Sequence, residues 1–247
     1  MRGKPTHDLC ETLRKLNLTT MVEHYETLAR QAARDQLPHV DYLARLADIE
    51  RAARYERSVA RRIKRARLPV IKTLEQFRWS WPSRINRTQI QDLFRLRFIE
   101  ENINVVLMGN VGLGKTHLAI ALAHTACLDD IPVLFTSAVD IVNTLSAAQC
   151  VDNLPRALKR YLTPDLLVVD ELGYIPMDKR GADLLFQVIS ARYERGAIVL
   201  TTNTAYKQWP RIFNNDSTIT TAVLDRLLHH CETIKIQGKS YRMKDKV

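Results

Sequence analysis

The chain has 247 residues, enough for one full-sized domain and a smaller appendage, and its 46% hydrophobic content contains no apolar run near the roughly 20 residues that cross a bilayer. The first residues, MRGKPTHDLCETLRKL, lack the apolar stretch of a secretory signal, so a cytoplasmic location without a membrane partner is expected. The net charge of +10 is uneven: 21 Lys/Arg face 12 Asp/Glu up to residue 100 and 16 face 15 thereafter, which points to a polyanion-binding segment joined to a nearly neutral domain.

Two helical stretches precede residue 68. The first, about residues 6–36, carries Leu9, Leu13, Leu16, Met21, Tyr25 and Leu28 at helical spacing, with a break near 17–20, and Pro38 ends it. The second covers about residues 40–67. In its later half Ala52, Tyr55, Val59, Ile63 and Ala66 form an apolar stripe, while Arg51, Arg54, Arg61 and Arg65 line another side, thickened by Arg57, Arg62, Lys64 and Arg67. Residues 51–67 hold eight Lys/Arg against one acid, Glu56. Charge of this density attracts phosphate without reading bases, so double-stranded DNA held by its backbone is the expected partner, with steep salt dependence.

Residues 69–101 are mixed and are interrupted by Trp79-Ser80-Trp81-Pro82, with about 84–99 helical again. This segment is taken as a connection between a helical basic domain, 1–68, and a domain from 102 to 247. Its two tryptophans suit packing better than stacking on nucleobases. The four cysteines, Cys10, Cys127, Cys150 and Cys231, lie far apart with no C-x-x-C pair, so neither a zinc site nor a disulfide framework is suggested.

From residue 102 short apolar runs alternate with helical stretches: INVVLM, then a helix from Lys115; PVLFT, then one from about Ala138; LLVVD, then one over about 179–195; AIVLTTN; and ETIKI. Strands buried on both faces and separated by helices make an α/β fold, a parallel sheet with helices on both faces. Directly after INVVLM comes GNVGLGKT, comprising Gly109, Asn110, Val111, Gly112, Leu113, Gly114, Lys115 and Thr116, which fits G-x-x-x-x-G-K-[ST] without a mismatch. In such a P-loop the backbone N–H groups and the helix amino terminus face the phosphates of ATP. Lys115 reaches the β- and γ-phosphates, and the Thr116 hydroxyl coordinates Mg²⁺.

A second strand of a P-loop protein delivers a carboxylate to that ion, and Asp170 at the end of LLVVD has this setting. Glu171, one residue on, is placed to polarise the attacking water as a general base. The PVLFT strand lies in sequence between the P-loop strand and the Asp170 strand. A catalytic Glu after the metal-binding Asp goes with the P-loop class that has an additional strand inserted between those two, which moves the reading from nucleotide binding to hydrolysis.

GNVGLGKTHLAIALA, LLVVDELGYIP, IVLTTN and AVLDRLLHH together resemble the AAA+ ATPases, and within them the IstB-like transposition helpers of bacterial insertion sequences, with DnaC-like helicase loaders as near relatives. The resemblance implies two further roles. Asn203 matches the sensor position beside the catalytic water, and Arg226 matches the arginine that reaches a neighbouring subunit's nucleotide. It also implies a homo-oligomer with active sites at subunit interfaces and a separate transposase as partner. The wider family follows its last core strand with a helical lid, whereas only QGKSYRMKDKV follows ETIKI, so no C-terminal lid domain is expected and Arg242 is not assigned as its sensing arginine. The expected activity is ATP hydrolysis in support of transposition. The alternatives are a helicase loader with the same ATPase engine, and a nucleotide-gated DNA scaffold that barely hydrolyses ATP.

Overall fold

A computed structural model describes residues 6–241. The chain divides into two compact units, Met1–Arg61 and Arg62–Val247. Helices α1 (Thr6–Lys15), α2 (Thr19–Arg34) and most of α3 (His39–Ala66) make up the first.

The break between α1 and α2 falls where the sequence places it, at Asn17, which takes a left-handed φ of 57°. The start of α2 lacks a cap of its own, because Leu18 at the N-cap offers no side-chain acceptor. Glu50, from α3, supplies one. Its Oε2 accepts from the N–H groups of Thr20 at 2.8 Å and Met21 at 3.1 Å. Its Oε1 accepts from Arg54 Nε at 3.0 Å and Arg57 Nη2 at 3.1 Å. Burial pushes the Glu50 carboxyl pKa up, but the Arg54 bond and the two backbone donors outweigh it and hold the group below the usual carboxylate range. This need for Glu50 turns the face carrying Leu46 and Glu50 inward along the first half of α3. The expected apolar stripe is therefore buried only in its later part: Val59 and Ala66 are buried, whereas Ala52 and Tyr55 are exposed.

The second unit is built on five parallel strands: β1 (Asn104–Gly109), β2 (Val133–Ser137), β3 (Leu166–Leu172), β4 (Ala197–Thr202) and β5 (Cys231–Ile236). Their order across the sheet is β2-β3-β4-β1-β5. The strand that separates the P-loop strand from the Asp170 strand in space is thus β4, while β2, which intervenes in sequence, lies at the edge. Alternate residues of β1 serve two cores. Val105 and Leu107 pack with helix α6 (Lys115–Leu128), and Val106 and Met108 pack with α7 (Ala138–Cys150), α9 (Lys179–Arg192) and α10 (Ser217–Leu228).

Residues 69–101 are part of this unit. Phe77, Ile90, Leu93, Leu96, Phe98 and Ile99 are buried in the α6-side core. The expected helix over 84–99 is two short ones, α4 (Arg87–Leu93) and α5 (Arg97–Glu100), because Leu96 between them adopts a φ of 60°. A further helix, α8 (Leu154–Leu162), precedes β3 with Pro155 in its first turn, a position where the missing N–H costs nothing.

Two buried polar residues fix the end of the sheet where β1, β3 and β4 begin. Arg192, 3% exposed, donates to the carbonyls of Tyr161, Pro164, Asp165 and Ala197 at 2.8–2.9 Å. Burial lowers its pKa to about 10. Asn104 donates to Leu227 O and accepts from Ile198 N–H, both at 3.0 Å, so it joins the end of α10 to the start of β4. Among the described residues no helix is long and apolar enough to cross a membrane, and the four cysteines are free.

Candidate active site

The loop between β1 and α6 turns back sharply: Gly112 and Gly114 have φ of 78° and 84°, a region that side chains disfavour. A Cβ on Gly114 would also stand 2.7 Å from the Phe77 ring. The first-turn N–H groups of α6 have no intrahelical acceptors, and with the helix dipole they favour an anion. Lys115 Nζ donates to the loop's own carbonyls, Gly109 at 2.7 Å and Asn110 at 2.8 Å.

The two adjacent acids are separated by a bulge rather than by strand alternation alone. Val169 pairs with Leu200 and Leu172 with Thr202, so Asp170 and Glu171 together oppose the single residue Thr201. Glu171 carries the irregularity with a φ of 61°. Thr201 Oγ1 donates to Asp170 Oδ1 at 2.5 Å and accepts from the Glu171 N–H at 2.9 Å. Thr116 Oγ1 donates to the same Asp170 oxygen at 3.0 Å. Asp170 is buried and Glu171 exposed. The oxygens of Thr116 and Asp170 are the donors that could hold a cation beside the loop, and hard oxygen donors suit a small divalent ion.

A cavity of about 770 Å³ lies over the loop. Val111 to Thr116, Glu171, Thr201, Thr202 and Asn203 line one part of it, and Ile71, Phe77, Trp81, Pro82 and Tyr241 line another. Sequence reasoning missed Thr201 and this second wall. Phe77 meets Trp79 and His117 edge-on, with ring centroids at 5.0 and 5.6 Å. Trp81 Nε1 donates to Lys239 O at 2.8 Å, its ring lies 5.3 Å from that of Tyr241, and Tyr241 N–H donates to Gly112 O at 2.9 Å. The only local signal is the aromatic density of QFRWSWP, and it does not say where the segment docks.

Of the expected site residues, the loop from Gly109 to Thr116 and the acids Asp170 and Glu171 converge, and Asn203 lies on the same cavity, its Oδ1 accepting from Thr204 Oγ1. Arg226 does not line the cavity of its own chain. Its guanidinium lies over the Phe186 ring at 5.0 Å and donates to Ala222 O at 3.1 Å. Arg242 lies outside the described residues. The basic residues of α3, and Arg67 just after it, are in different situations. Arg51 pairs with Asp48, and Arg54 and Arg57 bind Glu50. Arg62 donates to Cys127 O and pairs with Asp130. Arg61, Lys64, Arg65 and Arg67 carry no such carboxylate pairing among the described ion pairs, and Arg61, Arg65 and Arg67 are exposed.

Residues 11–247 match the family described as IstB-like ATP binding protein. The chain is 39% identical over 240 residues to the insertion sequence IS21 putative ATP-binding protein of Pseudomonas aeruginosa, covering 97% of this chain and 90% of the relative. It is 35% identical to the IS5376 putative ATP-binding protein of Geobacillus stearothermophilus, covering 97% and 94%. Among solved structures, AMPPCP-bound DnaA from Aquifex aeolicus superposes with a TM-score of 0.58 at 19% identity, over 72% of this chain and 54% of that one. The DnaC helicase loader does so with 0.53 at 20%, over 67% and 96%. Together with the glycine-rich loop between β1 and α6 and the five-stranded parallel sheet, these structural likenesses show the P-loop NTPase fold expected from the sequence. The extent of the family match and the near full-length identity to the insertion-sequence proteins together show that this chain belongs to the IstB-like ATP-binding protein family.

Proposed function

We propose that the protein is a magnesium-dependent ATPase of the cytoplasm that binds duplex DNA, assembles on it as a homo-oligomer and assists a transposase. The observation that carries the ATPase reading is the division of labour at the β3 bulge: Thr201 draws Asp170 toward Thr116 and leaves Glu171 exposed at the cavity. Thr116 and Asp170 would hold a magnesium ion, which would supply charge neutralisation to the phosphates of ATP. Lys115 exchanges its two carbonyl partners for phosphate oxygens. Glu171 accepts a proton from the attacking water, and Asn203 orients that water. The apolar wall of Ile71, Phe77, Trp81 and Tyr241 offers the base a surface that excludes solvent.

Arg226 acts on a neighbouring copy's nucleotide, in keeping with its absence from its own cavity. Arg51, Arg54, Arg57, Arg61, Arg62, Lys64, Arg65 and Arg67 form the DNA-binding set. Arg62 also serves packing through Cys127 and Asp130. The 35–39% identity to insertion-sequence proteins supports transposition over helicase loading, for which the likeness is one of fold at 20% identity.

The test is to mix the protein with non-specific duplex DNA, with and without ATP, to image the products and to measure binding across salt. Nucleotide-dependent higher-order assemblies are expected. DNA binding that neither needs nucleotide nor yields assemblies overturns the reading. Replacing Arg51, Arg61, Lys64 and Arg65 with Ala should flatten the salt slope by about 0.9 for each phosphate that is no longer neutralised. Glu171→Gln should keep ATP binding and lower hydrolysis by about 10²-fold or more. Equal, near-zero rates in both proteins would leave only a nucleotide-gated scaffold.

A further inference from the structure

Away from the nucleotide cavity, the structure gathers Glu194, His229 and His230, whose candidate ligand atoms all lie within 4.8 Å of one another. Glu194 Oε1 is 3.9 Å from His229 Nδ1 and 3.6 Å from His230 Nε2. A tetrahedral ion with bonds of about 2.0–2.1 Å spaces its donors about 3.3 Å apart, so small side-chain rotations close the set. All three side chains are half exposed, at 52–55%, which leaves room for water as a remaining ligand.

The backbone brings these donors together from two connections. Glu194 follows the end of α9 with a left-handed φ of 56°. His229 is the C-cap of α10, and His230 leads directly into β5. Two helix carboxyl termini therefore meet here, and the partial negative charge of each favours a cation. Tyr193 Oη lies 2.8 Å from His229 Nδ1, the same nitrogen that faces Glu194, so the phenol gives up this hydrogen bond when Nδ1 takes an ion. The thiol of Cys231, next in sequence, packs against the core on the α10 side and is not available to this group.

We propose that Glu194, His229 and His230 bind one divalent transition-metal ion of the zinc class. Two imidazoles and one carboxylate suit a borderline ion such as zinc, nickel or copper, whereas magnesium prefers an all-oxygen shell. The ion cross-links the α9–β4 connection to the α10–β5 connection. It thereby fixes the end of the helix that carries Arg226, and it is separate from the cation expected at Thr116 and Asp170.

The test uses the full chain, stripped with chelator, in a Cys10→Ser, Cys150→Ser background that removes the more accessible thiols. Zinc chloride is titrated calorimetrically without nucleotide, and cobalt(II) is followed by its visible absorption. One ion per chain is expected. Glu194→Gln, His229→Ala and His230→Ala should each weaken it at least about tenfold, and the low-coordinate cobalt spectrum should disappear. Binding of a fluorescent ATP analogue should be the same in all of these proteins, which reports their folding and keeps this outcome independent of the ATPase reading. No saturable zinc binding up to about 1 mM, or one-to-one binding that survives all three substitutions, overturns the proposal.

Discussion

At the scale of single residues, Thr201 governs where the two acids of β3 go. One hydroxyl donates to Asp170 and accepts from the Glu171 backbone, so it fixes the buried carboxylate and the bulge together. Removing it leaves an acceptor and a donor short of partners, at about 1–3 kcal/mol each when buried. Thr201→Val should therefore lower the ATPase rate about tenfold or more with less effect on nucleotide affinity, and Thr201→Ser should recover most of it. A variant with wild-type turnover would remove Thr201 from the site. The sequence makes Lys115, Thr116, Asp170 and Glu171 legible because each is tied to a local strand and its neighbours. Thr201 is not legible, since its role depends on the register between β3 and β4, and a Thr in a buried strand looks like any other β-branched residue.

Among elements, α3 illustrates what periodicity leaves open. Its helical spacing shows that a helix forms but not which residues face inward, because the inward set changes along its length from Leu46 and Glu50 to Val59 and Ala66. Glu50 is the reason: a carboxylate at the uncapped start of α2 satisfies two orphan donors and complements the helix dipole. Glu50→Ala should destabilise the helical unit by about 2–4 kcal/mol, with hydrogen exchange at Thr20 and Met21 the most accelerated. The folded-state pKa of Glu50 is depressed, so its contribution is complete above the unfolded carboxylate value of about 4.3 and is lost as pH falls through the lower folded value. Acid unfolding of the wild type should accordingly show a limb below about pH 4 that Glu50→Gln flattens. An unchanged acid limb would mean that Arg54 and Arg57 hold the helices without it. Arg192 presents the same difficulty in the other unit: an Arg near the end of a helix reads as a solvent-facing terminus, yet it is buried against four carbonyls, from α8, the turn into β3 and β4.

For the whole molecule, the question is which parts of the proposed ATPase site one chain supplies. It supplies more than the motifs suggest, because residues 71–82 and Tyr241 close the cavity from segments that carry no nucleotide signature. It also supplies less, because Arg226 stands over Phe186 and not at the cavity. An arginine that stabilises transition-state charge must touch the phosphates, so the role proposed for Arg226 places it at another copy's nucleotide, through a head-to-tail contact. This makes two defects complementary. Glu171→Gln chains keep Arg226 but lose the base, and Arg226→Ala chains keep the base but lose the arginine. Each alone should hydrolyse ATP poorly on DNA. Mixed in equal amounts, random head-to-tail neighbours place an intact Glu171 beside an intact Arg226 at about one interface in four, so activity should return to about a quarter of wild type. A mixture no more active than the mean of its parts would show that Arg226 works within its own chain, or not on the nucleotide at all.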